Sequence, residues 1–339
     1  MTKFTMAVLV AMAVLVPNAR SQSTQPLELI HTIPVPGLQD GDFDHFALDL
    51  QGHRLFLAAE ANDLVEVFDI RTNKLIHTIT QVKTPHSMVY RADLEKLFVV
   101  DGGSAEVKIF DGSSYSLVGH VKLETDCDSM AYDPITKYMY VVNGKLHSNA
   151  PYSFISIVDT TTEQKLAELR VDSSYVEGMA LEKSGQRMFV NVTGNDAVEV
   201  IDWTKPAVIA TWSIAEEAHN NAPMTYDEAH HRLFVVTRKP GKLIVLDSSS
   251  GKIVASLACV GLNDDAVYDP GSKRIYIAGT EFIDVFKQRN PDQYDLIGHI
   301  PTAFRAKTAI LVPQLNRYYL AVPHHGDKEA EIRVYKVTR

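Results

Sequence analysis

The chain has 339 residues, 45% of them hydrophobic and 22% charged, and a formal net charge of −9. That composition supports a large core and excludes the basic face that nucleic-acid binding needs. It also excludes electrostatic docking on anionic lipid, while the negative charge by itself names no partner.

The first expected element is a secretory signal over residues 1–21. Lys3 supplies a positive start, Met6 to Val16 is an apolar run, and Ala19-Arg20-Ser21 is a small-x-small cleavage site before Gln22. The run is shorter than the roughly 20 residues of a spanning helix. The mature chain is therefore expected to start at Gln22, to contain no transmembrane segment and to be periplasmic or secreted. Loss of Lys3 and Arg20 takes its charge to −11. No cysteine lies near the cleavage site, which argues against lipid attachment. Residues 22–339 then read as one repeat-built domain.

Next comes an isolated strand, Leu27 to Ile33, followed by a unit with four runs of strand chemistry: Phe46 to Leu48, Arg54 to Ala59, Leu64 to Phe68 and Lys74 to Ile79. The unit recurs. Val65-Glu66-Val67-Phe68-Asp69 returns as Val107 to Asp111, Ile155 to Asp159, Val198 to Asp202 and Leu243 to Asp247, then degenerates to Val285-Phe286-Lys287 and Val334-Tyr335-Lys336. Upstream, an apolar-aromatic pair keeps the same rhythm, with aromatics at Phe56, Phe98, Tyr140, Phe189, Phe234, Tyr276 and Tyr319. Such a fixed period marks an array of one supersecondary unit. Turns such as Asp69 to Lys74 and Asp247 to Lys252 have hairpin chemistry: the Asp accepts turn N–H groups, and Asn73 or Gly251 tolerates positive φ. The one helix-like stretch, Ala215 to His219, is too short to matter.

Four antiparallel strands per unit predict an all-β, seven-bladed β-propeller. The last unit ends on its third strand, Ile332 to Val337, and Leu27 to Ile33 matches the fourth strand of the first unit. The N-terminal strand is therefore expected to complete the last blade and close the ring, which removes open edges. Cys127 and Cys259 precede the third and sixth units, nearly opposite in such a ring, beyond the reach of about 7 Å that a disulfide needs.

Asn191-Val192-Thr193-Gly194-Asn195-Asp196-Ala197-Val198-Glu199-Val200-Ile201-Asp202 resembles the repeat of YVTN-type (YncE-like) bacterial propellers. Tyr140-Val141-Val142-Asn143 and Ile157 to Thr162 are similar to it, and the resemblance spans about residues 27–339. It implies an exported seven-bladed propeller. It implies no single activity, since related propellers include binding proteins, lactonases and lyases. Trp203 and Trp212 are the only tryptophans, too few for the WD signature or for the docking motif of quinone-cofactor propellers.

Aligning the first strands on Phe46, Met88, Met130, Met179, Met224, Ala266 and Ala309 exposes one ring position two residues earlier: Asp44, His86, Asp128, Glu177, Ala222, Asp264 and Lys307. His45, Asn221 and Asp265 adjoin it. Asp44, Asp128, Glu177 and Asp264 would repel one another unless a cation or Lys307 compensates. Oxygen ligands favour Ca²⁺ or Mg²⁺, and adding His86 or His45 admits Zn²⁺ or Mn²⁺. Ordered water filling a polar funnel remains the alternative. Loops between second and third strands should open on the same face: Asn143 to Tyr152 with Lys145 and His147, Arg238 to Gly241, and Pro323 to Lys328 with His324-His325, the last read as plain surface. The sequon Asn191-Val192-Thr193 is taken as chance.

Two functions stay open. One is a monomeric binding or scaffold propeller of the cell envelope that holds a small molecule, metal or protein partner in its funnel. The other is a lactonase-like hydrolase or a lyase with a divalent cation in the channel and His86 or His45 as general base. No Gly-x-Ser-x-Gly or His-Glu-x-x-His motif decides between them.

Overall fold

A computed structural model of the chain describes residues 25–144, 150–183 and 185–338. The expected signal segment, residues 1–21, lies outside them, as do Lys145 and His147. The described residues form seven four-stranded antiparallel sheets. The first has the strands Phe46–Asp49, Arg54–Ala59, Leu64–Asp69 and Lys74–Ile79. First strands of successive sheets neighbour one another in cyclic order, the seventh returning to the first. This is the seven-bladed propeller, with blades numbered here from Phe46. Four 3₁₀ turns, including Glu60–Asn62 and Thr193–Asn195, are the helical elements among the described residues, and residues 215–217 form only a turn. No described helix is long and apolar enough to cross a membrane.

The apolar-aromatic pair of each second strand explains the stacking. Successive side chains on a strand point to opposite faces. Leu55 therefore packs in the cluster between blades 7 and 1, and Phe56 in the cluster between blades 1 and 2. Phe98, Tyr140, Phe189, Phe234, Tyr276 and Tyr319 each occupy a further inter-blade cluster, so every interface holds one of these aromatics. Burying a large side chain of this kind contributes about 1.5–3 kcal/mol. An extra residue slips the register between third and outer strands in every blade, between Val67 and Phe68 in blade 1 and between Leu29 and His31 in blade 7. Such bulges increase the local right-handed twist.

The ring closes as the repeat predicts. Leu27–Val35 pairs antiparallel with Ala330–Val337, from Leu27 opposite Val337 to Val35 opposite Ala330, and completes blade 7 as its outer strand. Ile33 and Val35 share a cluster with Phe46, Leu55 and Leu57 of blade 1. Cys127 and Cys259 are free thiols; Cys127 is buried and donates to the Glu124 carbonyl at 3.0 Å.

The repeat aspartates cap their hairpins. Asp69 Oδ1 accepts the N–H groups of Arg71 and Thr72 at 2.8 and 2.9 Å, and Asp247 Oδ1 those of Ser249 and Ser250. Backbone and side-chain donors hold the carboxyls of Asp69, Asp111 and Asp202 below the usual range, Asp69 at about 2; at Asp159 and Asp247 burial pushes upward and such donors outweigh it. A depressed folded pKa stabilises above the unfolded value of about 3.9, and that stability is lost as pH falls through the folded value. The melting temperature is thus expected to drop between about pH 4 and pH 2. Asp→Asn at all five positions keeps an acceptor oxygen and should flatten that drop in thermal melts; an equally steep drop would contradict the assignment.

Candidate functional site at the channel mouth

The seven first-strand residues used for alignment each pair with the residue after a second-strand aromatic, Phe46 with Leu57 through Ala309 with Leu320. The ring position is therefore structurally equivalent in all blades. Just before the aligned residue the strands of blades 1 to 6 bulge. Asp44 N donates to the Ala58 carbonyl at 2.9 Å while Ala58 N donates to the His45 carbonyl at 3.2 Å, so two residues oppose one. Asp128 and Ser129 oppose Val142 in the same way, and Glu177 and Gly178 oppose Asn191. Bulges re-aim side chains, here bringing the ring residue and its successor to the mouth together.

Asp44 is the centre of one charged group. Its Oδ2 accepts from His86 Nδ1 at 2.5 Å, and its Oδ1 lies 3.2 Å from His45 Nε2. His45 Nδ1 reaches Asp265 Oδ1 at 3.0 Å, so one imidazole bridges two carboxylates. Asp128 Oδ1 stands 3.9 Å from His86 Nδ1. Burial pushes the Asp44 carboxyl up, but His45, His86 and Lys307 outweigh it and hold it well below the usual range. Burial lowers His86, and Asp128, Asp44 and Glu60 overcome that, raising it to about 9. His45 is likewise raised despite burial, by Asp44, Asp265 and Asp264. The facing carboxylates thus bias both imidazoles toward the protonated form, the opposite of what a general base needs. A Cβ on Gly102 would sit 2.8 Å from His86 Nε2, so glycine leaves room for the ring.

Glu60, from the 3₁₀ turn between second and third strands of blade 1, joins this group. Burial and the neighbouring Asp44 and Asp128 push its carboxyl up to about 7 against the pull of His86 and Lys307. Asp44, Glu60 and His86 each offer a ligand atom within 4.8 Å of the others'. Two carboxylates and an imidazole suit Zn²⁺ or Mn²⁺ better than Ca²⁺ or Mg²⁺. A cation there would displace the proton on His86.

The second group centres on Asp264. Lys307 Nζ donates to its Oδ2 at 2.8 Å and Arg238 to its Oδ1 at 2.5 Å. Arg238 also donates to the Tyr175 hydroxyl at 2.8 Å and stands 3.7 Å from Glu177 Oε1. Ser129 Oγ donates to Glu177 Oε2 at 3.2 Å. Between the two groups the channel opens as a cavity of about 240 Å³. Its polar wall is His45, Ser87, Ser129, Glu177, Asp264 and Asp265, and its apolar floor includes Phe46, Met88, Met130, Met179 and Met224.

Of the four carboxylates expected as metal ligands, only Asp44 belongs to the cation-competent cluster; Glu177 and Asp264 instead face Arg238. Asn221 is fully buried, donating to Asn191 Oδ1 and the Ala197 carbonyl, and ties blade 5 to blade 4. Asn191 of the sequon is equally buried. His324 pairs with Asp40 at 2.5 Å and His325 rests on Phe304, outside the cation-competent cluster. Sequence reasoning missed Glu60, although the rule that second-to-third loops share the ring's face covers it as it covers Arg238.

No family model and no curated protein matches the chain. Solved structures do. A chain of hydrazine synthase from Kuenenia stuttgartiensis aligns at 16% identity and a TM-score of 0.69, covering 90% of this chain and 95% of that one. A chain of a mitotic checkpoint complex aligns at 14% identity and 0.76, covering 100% and 99%. Likeness at these identities is to the fold alone.

Proposed function

We propose that this chain is an exported, YVTN-like binding propeller of the cell envelope that holds a small polar molecule at the channel mouth. One observation carries the reading: ionisable groups from every blade but the fifth's ring position are packed into one rim above an apolar floor, and Arg238 of blade 5 joins them. A buried ion network is a weak stabiliser against apolar packing, and perturbed titratable groups concentrate at functional sites. Glu177, Asp264 and Asp265, although paired with Arg238, Lys307 and His45, line the cavity with acceptor oxygens beside two serines, so the complementary ligand is rich in donors: a polyol or a small amine.

Thermal melts of the protein with a panel of polyols, amino sugars and primary amines test this. A true ligand at a hundredfold excess over Kd adds about 2.7 kcal/mol and should raise the wild-type melting temperature but not that of Ser129→Phe, whose ring fills the cavity. A panel in which every member moves both proteins alike, or neither, would count against it.

The Asp44, Glu60 and His86 cluster favours a second reading, a hydrolase or lyase, because a cation bound there could polarise a carbonyl oxygen of the molecule in the cavity. After chelator treatment, Zn²⁺ or Mn²⁺ should then stabilise the wild type and not Asp44→Asn/Glu60→Gln. Indifference of the stripped wild type to Zn²⁺, Mn²⁺, Ca²⁺ and Mg²⁺ would remove this reading and leave the first intact.

A further inference from the structure

We propose a second binding site on the same face, outside the channel, for a small carboxylate with an apolar body. A cavity of about 580 Å³ opens between blades 6 and 7. It is lined by Arg238, Arg305 and Lys307 together with Leu262, Phe304 and Thr280. Asp42 and Glu281 complete the lining, and Asp264 behind it pairs with both Arg238 and Lys307, so Arg305 is the cation that this cleft presents to water. Arg305 pairs with Asp42 on one edge of its guanidinium, and its side chain is 46% exposed. An arginine so placed can meet a second carboxylate through two parallel N–H bonds. Lys307, 3.6 Å from Asp42 and 2.8 Å from Asp264, brings a further cation to the same wall.

The apolar half of the cleft stays largely in water: Leu262 is 54% exposed, and Phe304, although it rests against the His325 ring, is still 48% exposed. Leu262 has a φ of 45°, four residues before its blade's aligned residue, and the equivalent left-handed positions of blades 2, 3 and 5 are Thr84, Asp126 and Asn220. Asn and Asp tolerate that conformation through their short polar side chains, whereas leucine gains nothing from it. Blade 6 therefore places a large apolar residue where the backbone disfavours it and water meets it. Blade 7 places Arg305 at the same repeat position, with a φ of 59°. Its N–H donates to Thr280 Oγ1 at 2.9 Å, which fixes the loop carrying Phe304 and Arg305 against blade 6. Cation and apolar surface are thus held side by side, matching a carboxylate head and a hydrocarbon or aromatic body.

Calorimetric titration with octanoate and phenylacetate tests the proposal, with acetate and octylamine as controls. At least one of the two acids should bind, and which one does assigns an aliphatic or an aromatic body; acetate and octylamine should bind at least about tenfold more weakly. Arg305→Gln should weaken the acid at least about tenfold, the loss of a charge-assisted bond, and Phe304→Ala should weaken it too. Ser129→Phe should leave it unchanged, which separates this cleft from the channel cavity. No binding of either acid, equal binding of octylamine, or an affinity untouched by Arg305→Gln would overturn the site.

Discussion

A chain lacking Leu27–Val35 is expected to unfold or aggregate rather than to melt a few degrees lower. That segment is the outer strand of blade 7 and the link between the two ends of the ring. Leu27, Ile33 and Val35 are almost wholly buried, in the clusters on either side of blade 7. Emptying core sites of this size costs about 2–5 kcal/mol for a leucine or isoleucine, against a total stability of about 5–15 kcal/mol for a domain. The deletion also strips the pairing partners of Ala330–Val337 and exposes a sheet edge that can recruit other chains. Thr338 N, which donates to the Pro26 carbonyl at 3.0 Å, marks how closely the two ends are tied. Circular dichroism melts and light scattering read the outcome. Ile33→Asp is the milder version and should lower stability by several kcal/mol while leaving the strand in the chain. A deleted chain that stays monomeric with an unchanged melting temperature would contradict closure by this strand.

Asp264→Ala is the second change expected to act strongly. It removes the shared partner of Lys307 and Arg238, whose side chains are only 22% and 18% exposed. Breaking a buried pair by taking one partner leaves an uncompensated charge and costs about 3–5 kcal/mol; partial exposure places this site at the lower end. Burial by itself would lower the pKa of Lys307, and Asp264 and Asp42 are what keep it raised. Removing Asp264 should therefore leave Lys307 easier to deprotonate as well. Urea unfolding of Asp264→Ala and Asp264→Asn measures the effect, with the isosteric amide expected to lose less. Losses under about 0.5 kcal/mol for both would mean that water already screens the group.

The fold was legible because the repeat states one physical requirement seven times. Both positions of each apolar-aromatic pair are buried, on opposite faces of a central strand, so neither can vary freely in character. The register of the ring was legible for the same reason, since the aligned residues follow from pairing with those strands. Partnership at the mouth was not legible. The period places Asp44, His86, Asp128, Glu177 and Asp264 on one rim, but it carries no information about residues reaching in from connections of irregular length. Arg238 pairs with Asp264 and stands beside Glu177, and Glu60 makes the third member of the cation-competent cluster. Asn221 adjoined the ring in sequence, yet its buried amide serves the backbone of blade 4.

The claim that the rim is kept for function rather than for stability is tested most directly by replacing a whole ion network at once. Asp264→Leu, Arg238→Met, Lys307→Met and Glu177→Gln together remove every charge of the second group. Their combined stability is to be compared with wild type by urea unfolding. Exchanging a complete buried ion network for apolar side chains of similar volume is often neutral or stabilising, by about 1–4 kcal/mol. The quadruple variant is expected to be at least as stable as wild type, although Asp264→Ala alone is not. A loss as large as that of Asp264→Ala would mean that the rim holds the propeller together and would contradict its assignment as a functional site.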